Sequence, residues 1–409
     1  MISLIKSAQL QFLRRSRQLH NVWKAEGLLG ISHRTRTAMA QWIMPKEVVM
    51  PVRPSDVIAA DLSRPLQTVV PKASPGEPIF VNWVTVPAVA RSGGHTTQYR
   101  IIKYLEAHGY VNRVYFYDVN HVDQRYYESI LRSAYGFNGP VARVEDGMED
   151  AHAVVATSWQ TAYPVFNAHC AGKRFYFVQD FEPLFHPVGS LSILAENTYR
   201  MGFHAITAGR WLAEKLRADF SMDADYFEFG CDTSLYSHLP RSQRSGVVFY
   251  ARPEAARRGF ELGLMTIELL ATRRPDIEIH FYGEKMGKLP FAFTDHGRVT
   301  PDQLNEIYNR CYAGLSLSLT NVSLVPHEML AAGCIPVVND AIQNRIVLDN
   351  PFVRYAPLNP HALAAEIEAL ISMDNFATLS QAAATSVRSV TWDDAGAKVD
   401  SIFKRFVGK

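Results

Sequence analysis

The sequence predicts an α/β protein made of two Rossmann-like, doubly wound domains that face a central cleft, with a basic N-terminal extension. Three observations support this fold class. The chain has 409 residues, which is too long for one ordinary core. From about residue 78, short runs of β-branched or aromatic residues alternate with amphipathic stretches, which is the pattern of parallel sheets with helical crossovers. A polar, serine-rich stretch after Gly230 separates two such alternations.

The first alternation predicts parallel strands joined by helices, at residues 79–87, 112–117, 151–156, 174–179, 203–207 and 225–229. The second alternation predicts strands at residues 246–250, 277–282, 313–317 and 334–338. Two further segments place apolar residues at helical spacing, and each predicts a helix with one buried face. These residues are Leu304, Ile307, Tyr308 and Cys311 in one segment and Val399, Ile402, Phe403 and Phe406 in the other.

The N-terminal extension is expected to form a basic helical or extended arm over residues 1–77. Residues 1–55 contain nine Lys or Arg side chains against Glu26 and Glu47. On a helical wheel of residues 1–19, an apolar stripe lies beside basic side chains, as in helices that rest on an anionic membrane surface. Docking of the arm on the protein's own body is the alternative, and the pattern fits both. Nucleic-acid binding is disfavoured because the basic stretch has no aromatic interleaving.

The overall composition is typical of a soluble globular protein, with 47% hydrophobic and 20% charged residues. The four cysteines lie far apart and include no CxxC pair, so neither a zinc site nor a disulfide framework is predicted. No apolar run reaches the ~20 residues that span a bilayer, and no signal-peptide pattern is present. We therefore expect a cytoplasmic protein, with peripheral contact at the inner face of the cytoplasmic membrane if residues 1–20 bind lipid.

A pair of glycines, Gly93 and Gly94, follows the first predicted strand and precedes a helix expected from His95. Glycine lets the backbone approach a ligand closely, and the first amides of a helix bind anions. The pair predicts contact with a phosphate group or with a sugar beside one, and a plain turn is the alternative. The stretch lacks the three-glycine dinucleotide fingerprint, which disfavours nicotinamide and flavin enzymes.

Three arginines follow the first predicted strand of the second domain. Arg252 leaves the end of the strand, and Arg257 and Arg258 stand just before Gly259. Guanidinium groups bind phosphate through paired hydrogen bonds, so two of them converging on a diphosphate would hold it without a metal ion. A solvated cluster that pairs with Glu254 is the alternative.

A polar turn follows the third predicted strand of the second domain and leads into a helix that carries Glu328. The amides of this turn are expected to point at phosphate oxygens. The Glu328 carboxylate is expected to accept a hydrogen bond from a ribose hydroxyl, and an unliganded carboxylate that offsets the helix dipole is the alternative. The predicted ligand-binding residues of the turn are Thr320, Asn321, Val322, Ser323 and Leu324.

Two carboxylates, Asp180 and Glu182, follow the fourth predicted strand and face the expected cleft. Either carboxylate could orient a substrate hydroxyl, as could Gln179 beside them, and structural hydrogen bonding is the alternative. A second acidic pair, Asp223 and Asp225, has the D-x-D spacing of a metal site. It is far in sequence from every predicted phosphate-binding turn, so we expect no bound metal.

The order of these pieces resembles the GT-B glycosyltransferases of family 4. The resemblance covers roughly residues 79–409. It rests on the Gly-Gly turn, on the R…RRG stretch after the first strand of the second domain, and on four longer segments: "AITAGRWLAEKL", "FGCDTSLY", "HGRVTPDQLNEIYNRCYAGLSLS" and "SLVPHEMLAAGCIPVV". Residues 176–190, "YFVQDFEPLFHPVGS", resemble the WsaF-like or rhamnan-synthesis enzymes, which add rhamnose to bacterial surface polysaccharides from a nucleotide-activated donor.

This resemblance implies a GT-B fold with an acceptor domain at residues 78–232 and a nucleotide-sugar donor domain at residues 233–390. A final helix at residues 391–409 is implied to cross back to the first domain. The implied reaction is a retaining transfer that needs no metal and no cofactor besides the nucleotide sugar. The implied donor carries rhamnose or another deoxyhexose, with dTDP favoured, and the acceptor is a growing surface polysaccharide or a lipid-linked glycan.

Residue by residue, the resemblance implies that Arg252 and Arg258 hold the donor diphosphate and that Glu328 binds the donor ribose. One extra residue before Gly259 leaves open whether Arg257 or Arg258 takes the role of the usual lysine. The glycine pair is implied to lie near the donor phosphates or the acceptor. Asp180 is the third catalytic candidate, because relatives often carry a catalytic-site His or Asp at this strand end, and Gln179 and Glu182 are the candidate acceptor contacts.

The sequence departs from the family pattern at Thr320, which stands eight residues before Glu328 where the family has the first carboxylate of Glu-x7-Glu. This loss is expected to alter contacts with the donor sugar without removing phosphate binding. It leaves open a catalytically inactive scaffold that binds a nucleotide sugar in a polysaccharide-synthesis complex. A GT-B sugar-nucleotide epimerase is a further alternative, although its acid and base groups are not identifiable in the sequence. A homodimer is compatible with all of these.

Overall fold

The computed structural model of the protein describes residues 50–408, apart from Arg91, His121 and residues 240–243, together with residues 27, 28, 30–32, 34–36 and 39. The expected membrane-contacting helix at residues 1–20 lies outside the described residues. None of the described helices is long and apolar enough to cross a membrane.

Within the described residues, the first lobe contains a parallel sheet of seven strands in the order β3-β2-β1-β4-β5-β6-β7. The strands are β1 Ile79–Thr85, β2 Tyr110–Phe116, β3 Val141–Arg143, β4 Ala153–Ala156, β5 Lys173–Val178, β6 His204–Ala208 and β7 Ala224–Phe227. The helices of this lobe are α1 Pro54–Ala59, α2 Gly93–Ala107, α3 Gln124–Tyr135, α4 Trp159–Asn167, α5 Ser190–Asn197 and α6 Arg210–Phe220.

The second lobe contains a parallel sheet of six strands, again counted over the described residues, in the order β10-β9-β8-β11-β12-β13. Its strands are β8 Gly246–Ala251, β9 Glu278–Gly283, β10 Thr294–Asp295, β11 Cys311–Leu315, β12 Ile335–Asn339 and β13 Arg354–Ala356. Its helices are α7 Phe260–Arg273, α8 Pro301–Arg310, α9 Val325–Ala331, α10 Ile342–Leu348, α11 Pro360–Ile371 and α12 Phe376–Ser386. A last helix, α13, spans Trp392–Val407.

Both sheets reverse their strand order beside their first strand, between β1 and β4 in one lobe and between β8 and β11 in the other. Doubly wound sheets bind ligands at such a reversal, outside the carboxyl ends of the strands. The central strands β1 and β5 are buried along nearly their whole length, which explains their nearly continuous apolar sequences. The fold therefore places the loops after β1, β4, β8 and β11 where a ligand would bind.

The helix over Pro301–Arg310 begins where the sequence supplies a cap. Thr300 accepts a hydrogen bond from the Gln303 amide, and the Gln303 side chain accepts one from the Thr300 amide. Leu304, Ile307 and Tyr308 face the core as their spacing predicts. Cys311 is buried but is the first residue of β11, so the predicted strand start at residue 313 was too late.

Residues 50–77, which were predicted to belong to the N-terminal arm, pack on the first lobe. Val52 is buried in its core, and the Arg53 guanidinium donates to the Asp118 carbonyl. The Gly172 amide donates to the Val69 carbonyl at 2.7 Å. This part of the extension is therefore a structural layer of the first lobe.

The final helix also packs on the first lobe. Its buried face contains Val399, Ile402 and Phe403, and the Phe403 ring lies edge-on to Trp83 and Phe175. The helix starts at a capping box between Thr391 and Asp394.

Three short strands escaped the sequence analysis, namely β3, β10 and β13. Each lies at a sheet edge and has at most three residues, which is too short to give a periodic pattern. The helix expected from His95 begins at Gly93 instead, so both glycines belong to its first turn.

Candidate active site

The carboxyl edges of the two sheets meet. The Asn321 side chain, in the loop after β11, donates from Nδ2 to the carbonyl oxygens of Gln179 and Ala208 at 2.8 and 3.0 Å. Those carbonyls lie directly after β5 and at the end of β6. A second contact joins Arg257 Nε and Asp180 Oδ2 at 3.3 Å. The predicted site segments of both lobes therefore border one cleft.

Arg258 is held at the turn after β11. Its Nη1 donates to Ser318 Oγ at 2.5 Å and to the Asn321 carbonyl at 3.2 Å. Burial lowers the pKa of Arg258, and the positive charges of Arg257 and Arg252 lower it further, while Asp180 opposes them. Since a guanidinium group stays protonated in proteins, the site holds three cations within electrostatic reach of one another.

Arg252 and Arg257 take different orientations in this cluster. Arg252 Nη1 donates to the Tyr250 hydroxyl at 3.1 Å, and its Nε is buried without a hydrogen-bond partner among the described residues. Arg257 turns toward the first lobe, where it pairs with Asp180 and lies 4.6 Å from the ring centroid of Phe185. Of the two candidates for the lysine role, Arg258 is therefore the one fixed beside the turn.

Asp180 lies in the cleft at the end of β5, as the sequence predicted, but faces the arginines of the second lobe. It is 8% exposed, and its Oδ1 accepts a hydrogen bond from the Phe181 amide at 2.9 Å. Burial raises its pKa, and Arg258, Arg257 and the Thr320 hydroxyl act in the opposite direction. A carboxylate so placed can hold an arginine in position and accept a hydrogen bond from a substrate hydroxyl.

The glycine pair opens the first turn of α2 to the cleft. Both Gly93 and Gly94 are exposed, and a side chain at Gly93 would meet no atom within 4 Å. A Cβ on Gly94 would lie 3.6 Å from Gln179 Nε2. The structure therefore brings the glycine pair, Gln179 and Asp180 together on one side of the cleft, as expected from the sequence.

The side chains of the turn after β11 are mostly buried, which leaves its backbone amides as the groups predicted to face a phosphate. Thr320, Asn321 and Val322 are buried, and Val322 belongs to the hydrophobic core. Leu324 packs on that core, while the Ser323 hydroxyl is buried without a hydrogen-bond partner among the described residues. The Nδ2 of Asn321 is hydrogen-bonded to the first lobe, so this group is not available to bind a nucleotide sugar. A contribution of Thr320, Asn321 or Val322 to ligand binding would come from the backbone.

Glu328 lies in the first turn of α9, half-buried beside the linker between the lobes. Burial raises its pKa to about 7, the nearby Asp232 raises it as well, and Arg100 lowers it. Arg100 projects from α2, pairs with Asp232 at 3.2 Å and lies 4.7 Å from the Trp392 ring centroid. Arg100 is not among the residues predicted from sequence, although it follows Gly93 by seven residues and so shares its helix face.

Glu182, an expected acceptor contact, does not reach the cleft surface. It is 6% exposed, and its Oε2 accepts hydrogen bonds from the Trp159 amide and the Tyr176 hydroxyl. Burial raises its pKa to about 8. These contacts satisfy the first amide of α4, so we correct its role from acceptor binding to helix capping.

The D-x-D string is likewise engaged elsewhere. Asp225 Oδ2 lies 2.7 Å from His204 Nε2 and also pairs with Arg405 of the last helix. No group of three or more His, Cys, Asp or Glu side chains that could hold a metal ion occurs in the part of the chain that the structure describes.

The two parallel sheets and the meeting of their carboxyl edges define the fold class of the protein. The chain has the two-domain α/β GT-B fold that many glycosyltransferases share. A structure of Anabaena Alr3699/HepE in complex with UDP and glucose superposes with a TM-score of 0.59 at 13% identity, over 80% of this chain and 99% of that one. A structure of WaaG, a glycosyltransferase involved in lipopolysaccharide biosynthesis, gives a TM-score of 0.56 at 11% identity, over 79% and 99% of the two chains.

More specific similarities come from sequence. Residues 245–368 match the family described as WsaF, C-terminal domain, which is most of the second lobe. The chain is also 34% identical over 261 residues to the O-antigen biosynthesis protein RfbC of Myxococcus xanthus. That alignment covers 61% of this chain and 20% of the relative, so the chain spans about a fifth of that protein's length.

Proposed function

We propose that this protein is a glycosyltransferase that moves a sugar from a nucleotide-diphosphate donor to a hydroxyl of a surface polysaccharide or lipid-linked glycan. The observation that carries the proposal is the clustering of Arg252, Arg257 and Arg258 beside the turn after β11, opposite Asp180. Three guanidinium groups beside this carboxylate leave positive charge that a diphosphate would neutralise. The similarities to the WsaF family and to an O-antigen biosynthesis protein support the same chemistry.

In this proposal, Arg258 and Arg252 stabilise the negative charge that develops on the departing diphosphate. Donors fixed in advance lower the barrier because they need no reorganisation during the reaction. Arg258 meets this condition through its bonds to Ser318 and the Asn321 carbonyl. The buried Nε of Arg252, which has no partner among the described residues, is a second donor of this kind.

The acceptor hydroxyl attacks the anomeric carbon on the face from which the diphosphate leaves, so the configuration is retained. The bond from that carbon to the diphosphate oxygen breaks, the bond to the acceptor oxygen forms, and a phosphate oxygen takes the hydroxyl proton. The scheme needs neither an enzymic nucleophile nor a metal ion. Asp180 and Gln179 orient the acceptor hydroxyl, and Glu328 accepts a hydrogen bond from the donor ribose.

For the donor we propose dTDP-linked rhamnose or another deoxyhexose. A 6-deoxy sugar offers fewer hydroxyls, which is compatible with an uncharged Thr320 in place of a sugar-binding carboxylate. The site of action proposed for the protein is the cytoplasmic side of the membrane, where nucleotide sugars would meet a lipid-linked acceptor.

A thermal-shift panel of dTDP, UDP and GDP sugars tests the donor, followed by product analysis with and without a glycan acceptor. We expect a dTDP-linked deoxysugar to raise the unfolding temperature most, because ligand binding stabilises the folded state, and to yield a glycosylated product. Epimerised donor without acceptor would indicate an epimerase instead. Binding with neither transfer nor hydrolysis would contradict the proposal and favour the scaffold role that the loss of a carboxylate at Thr320 suggests.

A further inference from the structure

Asn321 contacts both lobes and is fully buried, with 0% of its surface exposed. Its Nδ2 donates to two carbonyl oxygens of the first lobe, those of Gln179 and Ala208. Its main-chain carbonyl oxygen accepts the hydrogen bond from Arg258, while the side-chain Oδ1 is buried without a hydrogen-bond partner among the described residues. Because both partners of the side chain are acceptors, only the NH2 group can face them, and the orientation of the amide is fixed.

We infer that Asn321 is a positioning residue that sets the reacting geometry by tying the two sheet edges together at the base of the cleft. The inference rests on the proposed function for its kinetic part. Through the Gln179 carbonyl, the amide fixes the backbone next to Asp180 and the side chain that lies against Gly94. Through its main-chain carbonyl oxygen, the same residue accepts a hydrogen bond from Arg258 and holds that side chain in place. One residue therefore connects the proposed leaving-group site to the proposed acceptor site.

The surroundings of the second carbonyl show that the lobes touch closely there. Gly209, which follows Ala208, has a φ of 89°, a conformation that favours glycine. A Cβ at this position would lie 2.9 Å from Val347 Cγ2 in α10 of the second lobe. Because Asn321 is itself 0% exposed, removal of its amide would leave the carbonyl oxygens of Gln179 and Ala208 without this donor at a buried site.

Asn321→Asp tests the inference with little change of shape. The carboxylate would face two carbonyl oxygens and cannot donate to both. The matched control is Asn82→Asp: Asn82 is also 0% exposed, its Nδ2 donates to the Glu149 carbonyl at 2.6 Å, and its Oδ1 has no hydrogen-bond partner among the described residues. This hydrogen bond and the strands on either side of Asn82 lie within the first lobe. Asn321→Ala serves as a second variant if the aspartate variant does not fold.

The first readout is hydrogen exchange, which needs no activity. We expect amides in residues 176–182 and 205–210 of the first lobe to exchange about tenfold faster in Asn321→Asp, although the substitution lies in the second lobe. Asn82→Asp should leave residues 205–210 unchanged. Unaltered exchange at both segments in Asn321→Asp and Asn321→Ala would overturn the inference, whether or not the wild-type protein transfers sugar.

The second readout separates positioning from general stability. In Asn321→Asp, kcat should fall about tenfold or more, while the affinity for the free nucleoside diphosphate should stay within about twofold because the backbone at Asn321 is kept. Asn82→Asp should lose thermal stability and keep its kcat. Equal losses of kcat in the two variants would contradict a positioning role. A wild-type protein that transfers no sugar would refute the proposed function and leave the exchange result to decide on Asn321.

Discussion

At the residue scale, the positive charge that the cleft offers to a ligand depends on the partner to which each arginine side chain is bound. Arg258 is bound within its own lobe, by Ser318 and the Asn321 carbonyl. Arg257 reaches across to Asp180 and Phe185. The two adjacent arginines thus differ in their partners: Arg258 is fixed within the second lobe, whereas Arg257 forms an ion pair between the lobes. In the proposed function, Arg258 is the preformed anion-binding group, and an incoming diphosphate would compete with Asp180 for Arg257.

Replacing Arg258 or Arg252 by alanine should lower kcat at least about tenfold each, because a charge-assisted hydrogen bond to the leaving group contributes about 1.5–3 kcal/mol. Steady-state kinetics and a circular-dichroism melting curve measure activity and folding separately. Arg125→Ala, at an exposed position of α3, is the matched control and should behave as wild type. Wild-type kcat in both Arg258→Ala and Arg252→Ala would contradict a role for these side chains in catalysis.

Glu328 should give donor binding a pH dependence. Burial raises its pKa to about 7, so the carboxylate becomes protonated as the pH falls through that value and loses the proposed hydrogen bond from the donor ribose. We expect the donor KM to rise between pH 7 and pH 6 in the wild type. Glu328→Gln, which keeps an amide oxygen and does not titrate, should show a flat profile over this range. Identical profiles for the two proteins would refute the assignment.

At the element scale, two helix ends depend on side chains that the sequence pattern did not assign to them. The first amide of α4, that of Trp159, donates a hydrogen bond to the buried carboxyl of Glu182, which lies in the loop after β5. The last helix is joined to the first lobe by apolar contacts and by Arg405 with Asp225. Such long-range partners leave no local signature, which explains why Glu182 read as a cleft residue and Asp225 as part of a D-x-D string.

The Glu182 carboxyl should make stability fall as pH rises. Burial raises its pKa from the usual 4.5 to about 8. The folded state therefore retains a proton that the unfolded state releases, and the stabilisation, complete below about pH 4.5, is lost progressively up to about pH 8. Unfolding temperatures of Glu182→Gln, which keeps the oxygen acceptor, should depend less on pH than those of the wild type between pH 5 and pH 8. Parallel curves would rule out this titration.

The C-terminal helix should be needed for the stability of the first lobe. Phe403 is buried between Trp83 and Phe175, so Phe403→Ala should destabilise by about 3–5 kcal/mol. Lys398→Ala, at an exposed position of the same helix, should be neutral. Chemical unfolding compares the two variants, and truncation after Ser389 should cause a larger loss together with loss of activity. A truncated chain with full stability and activity would contradict this role.

Sequence periodicity predicts the long central strands and their helices because apolar spacing records burial directly. The segments predicted to face a phosphate were identified by residue type, as with Gly93 and the arginines. The structure places these segments together at the carboxyl edges of the two sheets. It also shows what residue type cannot: the direction of a side chain. Asn321 reads as a polar turn residue in sequence, yet its amide is buried against the other lobe. Contacts between the lobes cannot be predicted from sequence for the same reason, whereas the short edge strands have too few residues to give a periodic pattern.

At the scale of the whole molecule, the two sheets share the strand order 3-2-1-4-5-6, to which the first sheet adds a seventh strand. Their carboxyl edges meet through Asn321 and Arg257. Segments from both lobes form the cleft: the glycine pair, Gln179 and Asp180 on one side, and the arginine cluster with Glu328 on the other. The Asn321 amide joins the two edges, and the last helix returns to the first lobe. The central claim is that this cleft binds a diphosphate through guanidinium and backbone groups.

Isothermal titration of UDP, dTDP and GDP into the protein, in buffer containing EDTA, tests that claim most directly. We predict binding of at least one of these nucleotides without a divalent ion, with affinity reduced about tenfold or more in Arg258→Ala, consistent with loss of about 1.4 kcal/mol or more. Absence of binding to the wild type, or equal affinity in wild type, Arg252→Ala and Arg258→Ala, would contradict the account.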